Sequence, residues 1–336
     1  MSVKGSCSSL RFHMRRLRVR RSRIFGALLI MVGVIAILTV PNFTSAQTAT
    51  DEEQDGEIWL WVPTSPDGTG PLVKVKVQPL SIKQREAMDS APVARNKHPE
   101  WNTCNPESPY YNPEDCYWPP RFESSGSETA LEEQHYWWGT DIYGGSTRTG
   151  AWATHQIDTT ITIKSGQSLY APTLLPSNYC PLESVTAYWD KTKRAWRGYN
   201  HVGGVWWPTE YFTAGWVDAH VRNWNGVPCY DSRVVKEDKW YLQLYNYSEG
   251  EWEQKASSTG SSGWNVGWED WEEWYLDQDW PTLPEINCFN LRVRASGTWR
   301  NVTSTYGCED DDHLCEGFPP HGFHQRFYAW WVGPKT

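Results

Sequence analysis

The residues best placed to do chemistry lie in two aromatic stretches in the second half of the chain. The first is Trp240-Tyr241-Leu242-Gln243-Leu244-Tyr245-Asn246-Tyr247. On a strand, Trp240, Leu242 and Leu244 turn to a core, and Tyr241, Gln243, Tyr245 and Tyr247 line the opposite face. Rings with an interleaved amide make a platform for sugar rings or an extended peptide, because ring faces stack and amides hydrogen-bond hydroxyls or backbone. A face covered by a neighbouring loop is the alternative reading. The second stretch runs from Trp264 to Leu276. On a strand, Trp268, Asp270, Glu272 and Trp274 share one face, and Trp271, Glu273 and Tyr275 the other. A carboxylate flanked by rings loses water, which raises its pKa and suits a general acid or base. The plainer alternative is a solvated charged edge.

Other constellations are weaker. His313, His321 and His324 lie near Cys315, and Glu309-Asp310-Asp311-Asp312 is an acidic run. Neither has the ligand spacing of a known metal loop. The chain has no Gly-x-Ser-x-Gly, no phosphate-binding loop and no dinucleotide fingerprint, so no metal and no cofactor is expected.

These residues need strands to position them. From Trp101 onward Trp, Tyr, Gly, Thr and Ser dominate, and no apolar pattern of helical period lasts beyond two turns. Short alternating runs separated by turn signals are the all-β signature. Strands are expected at Ile157–Ile163, Val185–Trp189, Phe212–Val221, Lys239–Tyr247, Glu251–Ala256, Phe289–Ala295 and Arg326–Val332. In the run at 289–295, Phe289, Leu291, Val293 and Ala295 should face one way and Asn290, Arg292 and Arg294 the other. Seven or more such strands imply two packed antiparallel sheets, an all-β, concanavalin- or jelly-roll-like sandwich. Before it, Ile58–Val62 and Leu72–Val77 read as strands and Leu80–Met88 as the one short helix. The expected organisation is 1–46 signal peptide or signal anchor, 47–99 N-terminal extension or pro-region with a possible cut near Arg95-Asn96-Lys97, and 100–336 sandwich domain.

Between Trp240 and Ala295 the chain resembles the glutamic peptidases, the eqolisin and neprosin-like group. The segments that carry the resemblance are Trp240-Tyr241-Leu242, then Glu273-Trp274-Tyr275-Leu276, then Leu283-Pro284-Glu285-Ile286-Asn287-Cys288-Phe289. It covers about 55 residues of the 336. The resemblance implies a concanavalin-like sandwich and places Glu273 at the family's catalytic glutamate. That glutamate works with an upstream Gln or Glu; no Gln stands in a matching context, and Glu183, just before the Val185 strand, is the candidate.

Composition narrows the setting. The first 23 residues carry eight Lys and Arg and no acid, followed by an unbroken apolar run from Ile24 to Val40 and the small, polar Thr44-Ser45-Ala46-Gln47. That order reads as an export signal cut after Ala46, or as an uncleaved anchor, with Met14 as an alternative start. Without those residues, 23 of the 31 basic side chains face all 40 acidic ones. A surface so acidic argues against binding nucleic acid through its phosphates, and a membrane partner is expected only if the N-terminal segment stays uncleaved. Seven cysteines remain after the signal. Cys104/Cys116 and Cys308/Cys315 are close enough to bridge, and a third bridge is expected among Cys180, Cys229 and Cys288. Asn246 and Asn301 begin glycosylation sequons.

Three functions fit these residues. One is a secreted recognition module that holds a glycan or polypeptide on the Tyr241/Gln243/Tyr245/Tyr247 face. Another is an acid endopeptidase in which Glu273 activates a water beside Glu183 or another carboxylate. The third is a structural cell-surface protein with no small ligand.

Overall fold

The computed structural model describes residues 57–95, 97–116, 134–142, 147–163, 168–263, 265, 267–276, 286–302, 307–310 and 329–332. The export segment, His313, Cys315, His321 and His324 lie outside them. Among the described residues no helix is long and apolar enough to cross a membrane.

These residues form nineteen strands and two short helices. The chain starts with β1 (Trp59–Pro63), β2 (Leu72–Lys76), β3 (Gln78–Pro79), α1 (Ile82–Ala87) and β4 (Val93–Arg95). It continues through β5 (Gln134–Ile142), β6 (Arg148–Gln156), β7 (Ser168–Leu175), β8 (Leu182–Trp189), β9 (Lys193–Asn200) and β10 (Val205–Tyr211). After α2 (Ala214–His220) come β11 (Arg222–Trp224), β12 (Val227–Lys236), β13 (Trp240–Asn246), β14 (Glu251–Ser258) and β15 (Gly267–Leu276). The last four are β16 (Ile286–Ala295), β17 (Thr298–Asn301), β18 (Gly307–Asp310) and β19 (Ala329–Val332).

Two large sheets carry the fold. One has seven strands in the order β10-β9-β8-β7-β15-β5-β18. The other has ten: a row β17-β16-β6-β12-β13-β14-β4, with β19 on β16, β11 on β12 and β3 on β11. Pairing is antiparallel apart from the short β3–β11 and β4–β14 contacts. The protein is an all-β sandwich, as the alternating runs predict. Its core lies between the sheets, where Leu182 and Trp196 of one meet Val234, Leu242 and Leu244 of the other. Gly198 allows a close approach: a Cβ there would stand 2.6 Å from Leu242 Cδ2 and 2.8 Å from the Trp207 carbonyl oxygen.

The tryptophan content has a structural explanation. Trp152, Trp196, Trp216 and Trp252 are fully buried. Each indole N–H, which must be satisfied once buried, finds an acceptor: Asp231, the Ser184 hydroxyl, Glu210 and the Met88 carbonyl respectively.

The N-terminal segment lies on the sandwich. Leu60, Val62 and Val77 join the core between the sheets. Leu80 and Met88 pack on the opposite, outer face of the ten-stranded sheet against Trp152, Trp224, Tyr245, Tyr247 and Trp252. The start of helix α1 is fixed by a capping box, in which Ser81 Oγ accepts from the Gln84 N–H and Gln84 Oε1 from the Ser81 N–H.

Four expectations need correction. The stretch 212–221 holds helix α2 (Ala214–His220) rather than a strand, because Thr213 caps its start by accepting from the Trp216 N–H and Trp216, Val217, Ala219 and His220 share a buried side. Ile157, Ile161 and Ile163 are buried but not in a strand, since Asp158 Oδ1 accepts from both the Thr160 N–H and hydroxyl and closes a turn. The alternation along β16 breaks at a bulge around Asn290 (φ 55°), so Phe289 packs with Trp224 on the outer face while Leu291 and Val293 face the core. No bridge joins any two of Cys180, Cys229 and Cys288, which are buried in three separate core clusters. The Cys104–Cys116 disulfide is present; Cys308 lies on β18, opposite Asp141, and the Cys308/Cys315 reading falls outside the described residues because Cys315 does.

Burial pushes the Cys180 and Cys229 thiols well above their ordinary pKa. Both should stay unmodified by a maleimide in the native protein and react once it is denatured, as read by peptide mapping. Of the two sequons, Asn246 is buried and its amide donates to Glu253 Oε1, so the fold leaves it no room for a glycan, whereas Asn301 is exposed.

Candidate functional site

The outer face of the ten-stranded sheet is divided in two. The N-terminal segment covers one half. Tyr245 and Tyr247 lie there, buried against Trp252 and Met88. At its centre is Asp231, fully buried. Trp152 Nε1–H and the Thr154 hydroxyl each donate to Asp231 Oδ1 at 2.7 Å, and the Tyr247 hydroxyl donates to Oδ2. Burial raises the Asp231 pKa, and those three hydrogen bonds oppose it.

The other half is open. It forms a groove of about 390 Å³ over β12, β13, β14, β16 and β17. Tyr241 and Gln243 line it, together with Gln254, Arg233, Arg294 and Trp299. Strand pairing assembles these residues. Arg233 stands opposite Gln243, Gln243 opposite Gln254, and Arg294 opposite Trp299. The Trp299 ring can lie down on the sheet because Gly150 leaves room: a Cβ there would sit 3.1 Å from Trp299 Cη2. Val93 of β4 closes the side nearest the N-terminal segment.

The groove's charges are mostly paired. Arg294 Nη2 meets Glu237 at 3.0 Å, and its Nη1 donates to the Lys236 carbonyl. Asp238 accepts from the Tyr241 hydroxyl at 2.7 Å. The Arg233 guanidinium sits 4.0 Å above the Trp252 ring, and its Nε–H donates to Gln243 Oε1 at 2.5 Å. The central floor strands β12, β13 and β16 are each paired on both sides, β14 meets β4 over Trp252–Gln254, and the row ends at β4 and β17, which carry Val93 and Trp299.

The remaining sequence candidates lie in the seven-stranded sheet. Glu183 on β8 is buried, and its Oε2 is 2.9 Å from His201 Nε2. Glu273 pairs with Tyr170 of β7 and Trp137 of β5; its side chain lies outside the described residues. Tyr170 in turn stands opposite Ala187, four residues along β8 from Glu183. Two strand spacings across and four residues along set the Glu183 and Glu273 backbones roughly 16 Å apart.

One titratable cluster has no signal in the sequence. Between the sheets, under Trp101, lie Glu210 of β10, Glu253 and Lys255 of β14 and His220 of α2, all fully buried. Lys255 Nζ donates to both Glu210 oxygens (3.1 and 3.0 Å) and lies 2.7 Å from Glu253 Oε2. Burial opposes ionisation of Glu253, but Lys255 outweighs it and holds that carboxyl at about 2. Burial, then Lys255, push His220 down to about 3, so its ring is neutral; Nδ1–H donates to the Tyr245 carbonyl at 3.0 Å. Sealed from water, this cluster cannot reach a substrate and acts as a structural one.

No family model matches the chain, and no curated protein matches it. Among solved structures it is similar to scytalido-glutamic peptidase with a peptide-based transition-state analogue, at 12% identity over 60% of this chain and all of that one, with a TM-score of 0.38. It is similar also to SCP-B, a member of the eqolisin family of peptidases, in complex with the tripeptide Ala-Ile-His, at 10% identity, the same coverage and a TM-score of 0.38. Both likenesses are partial.

Proposed function

We propose that the protein is a glycan-recognition module that holds a sugar chain in the open half of the outer face. The observation that carries this reading is the composition of the groove over a floor whose central strands are paired on both sides. An extended peptide adds to a sheet through a free edge, and β12, β13 and β16, at the centre of this floor, offer none. Recognition therefore falls to side chains: the half-buried rings of Tyr241 and Trp299, the Gln254 amide and the Arg233 guanidinium. Rings that stack and amides that meet hydroxyls suit a sugar, and 390 Å³ lies within the usual size of a ligand pocket.

The test is a glycan array with the full chain and Tyr241→Ala. Selective binding, weakened about three- to tenfold in the variant, is the expected result. If no glycan binds, and the protein instead cleaves a denatured protein at acid pH in a manner abolished by Glu273→Gln, the chain is a glutamic-type peptidase and this reading is wrong.

A further inference from the structure

Arg233 is the groove residue whose charge the glycan reading leaves unspecified. It is 7% exposed, and a buried guanidinium is ordinarily neutralised by a carboxylate. Among the described residues none pairs with it. The acids nearest in its electrostatic surroundings, Asp89 and Glu237, are engaged by Arg292 and Arg294. Gln243 holds only its Nε–H, and Trp252 supports one face of the guanidinium. The two terminal nitrogens are left for the groove that Arg233 lines. Burial, followed by the neighbouring Arg294, lowers the Arg233 pKa to about 9 against the opposing pull of Asp89 and Glu237.

This geometry is a preorganised fork. A guanidinium fixed at Nε and stacked on a ring has lost its rotational freedom before any ligand arrives, so little entropy remains to be lost on binding. Its two free ends match a planar carboxylate in bidentate fashion. The acids that share the groove do not compete for it, because Glu237 is held by Arg294 and Asp238 by the Tyr241 hydroxyl.

We propose that the groove selects an acidic sugar, a uronic acid, whose carboxylate is taken by the terminal nitrogens of Arg233 while its ring lies against Tyr241 and Trp299. The proposal rests on the glycan reading and narrows it to one chemical class.

The test is calorimetric titration of the full chain with oligogalacturonate and with its methyl ester, which keeps the ring and removes the charge. The acid should bind at least about tenfold more tightly than the ester, the difference expected for a charge-assisted pair. Arg233→Met should erase that difference, and Arg233→Lys should restore part of it. The acid–ester comparison requires no variant, so a misfolded Arg233→Met protein does not stall the test. Equal binding of acid and ester overturns the proposal and leaves the glycan reading standing. Failure of every glycan overturns both. Arg233-dependent binding of tetraglutamate in place of the sugar overturns the proposal in favour of an acidic peptide.

Discussion

Replacing Lys255 with Met should lower the unfolding midpoint by roughly 10 °C, the consequence of about 3–5 kcal/mol lost when a buried ion pair is broken. Lys255 is fully buried and is the cation that Glu210 and Glu253 share. Without it two buried carboxylates lose the cation they share. The control is the triple variant Lys255→Met, Glu210→Gln, Glu253→Gln, which removes the charges together and should recover most of the loss. If Lys255→Met alone is neutral in thermal denaturation, the cluster is not sealed as described. The same cluster makes stability depend on pH. His220 has a folded pKa of about 3 against 6.5 for an unperturbed imidazole, so the unfolded chain takes up the proton first. Its stability contribution is present above pH 6.5 and is lost as pH falls from 6.5 towards 3. Glu253, at about 2 against 4.5, adds a loss below pH 4.5. Glu210, raised by burial, works the other way. His220→Asn, which keeps a donor for the Tyr245 carbonyl, should cut the stability lost between pH 7 and pH 5 by about 2 kcal/mol in urea titrations.

Asp231→Ala and Asp231→Asn should differ sharply. Alanine leaves the Trp152 N–H and the Thr154 and Tyr247 hydroxyls without an acceptor in the core. Each unsatisfied group costs about 1–3 kcal/mol, so the variant should lose about 3 kcal/mol or more. Asparagine keeps an oxygen for Trp152 and Thr154, and its amide can donate to the Tyr247 oxygen. Burial raises the Asp231 pKa, so the neutral amide also avoids confining a charge, and the variant should stay within about 1 kcal/mol of the parent. Equal destabilisation of the two by chemical denaturation would show that the carboxylate charge, rather than the acceptor geometry, holds this half of the sheet.

The fold was legible where local pattern and final environment agree. The β13–β14 hairpin can be read from its alternation and its Ser248-Glu249-Gly250 turn, and α1 from Ser81 and Gln84. It was illegible where a capping contact or a bulge overrides the pattern. Phe212–Val221 carries strand-forming residues, yet the Thr213 cap turns it into α2. Asn290 reverses the side on which Phe289 falls. The groove was legible in part, since Tyr241 and Gln243 are on the face the alternation assigns them. Gln254 was within reach, because it follows from the hairpin register that sets it opposite Gln243. Arg294 and Trp299 were not, because β6 stands between β12 and β16 in the sheet and nothing local announces that order. The covering of Tyr245 and Tyr247 by residues some 160 positions earlier is likewise a tertiary fact, seen in the Trp252 indole bond to the Met88 carbonyl.

That cover changes what a cut in the chain would mean. The segment 57–95 is tied in on two sides of one sheet, by Leu60, Val62 and Val77 within and by Leu80 and Met88 without, and just beyond it Lys97 pairs with Glu249 and Glu251. Scission between Arg95 and Lys97 would sever a covalent link while leaving these contacts in place. The product would elute as a single particle and split into two polypeptides only on denaturation. Maturation at that point would therefore make a two-chain protein, in which the smaller chain is a permanent subunit and sets how far the groove extends.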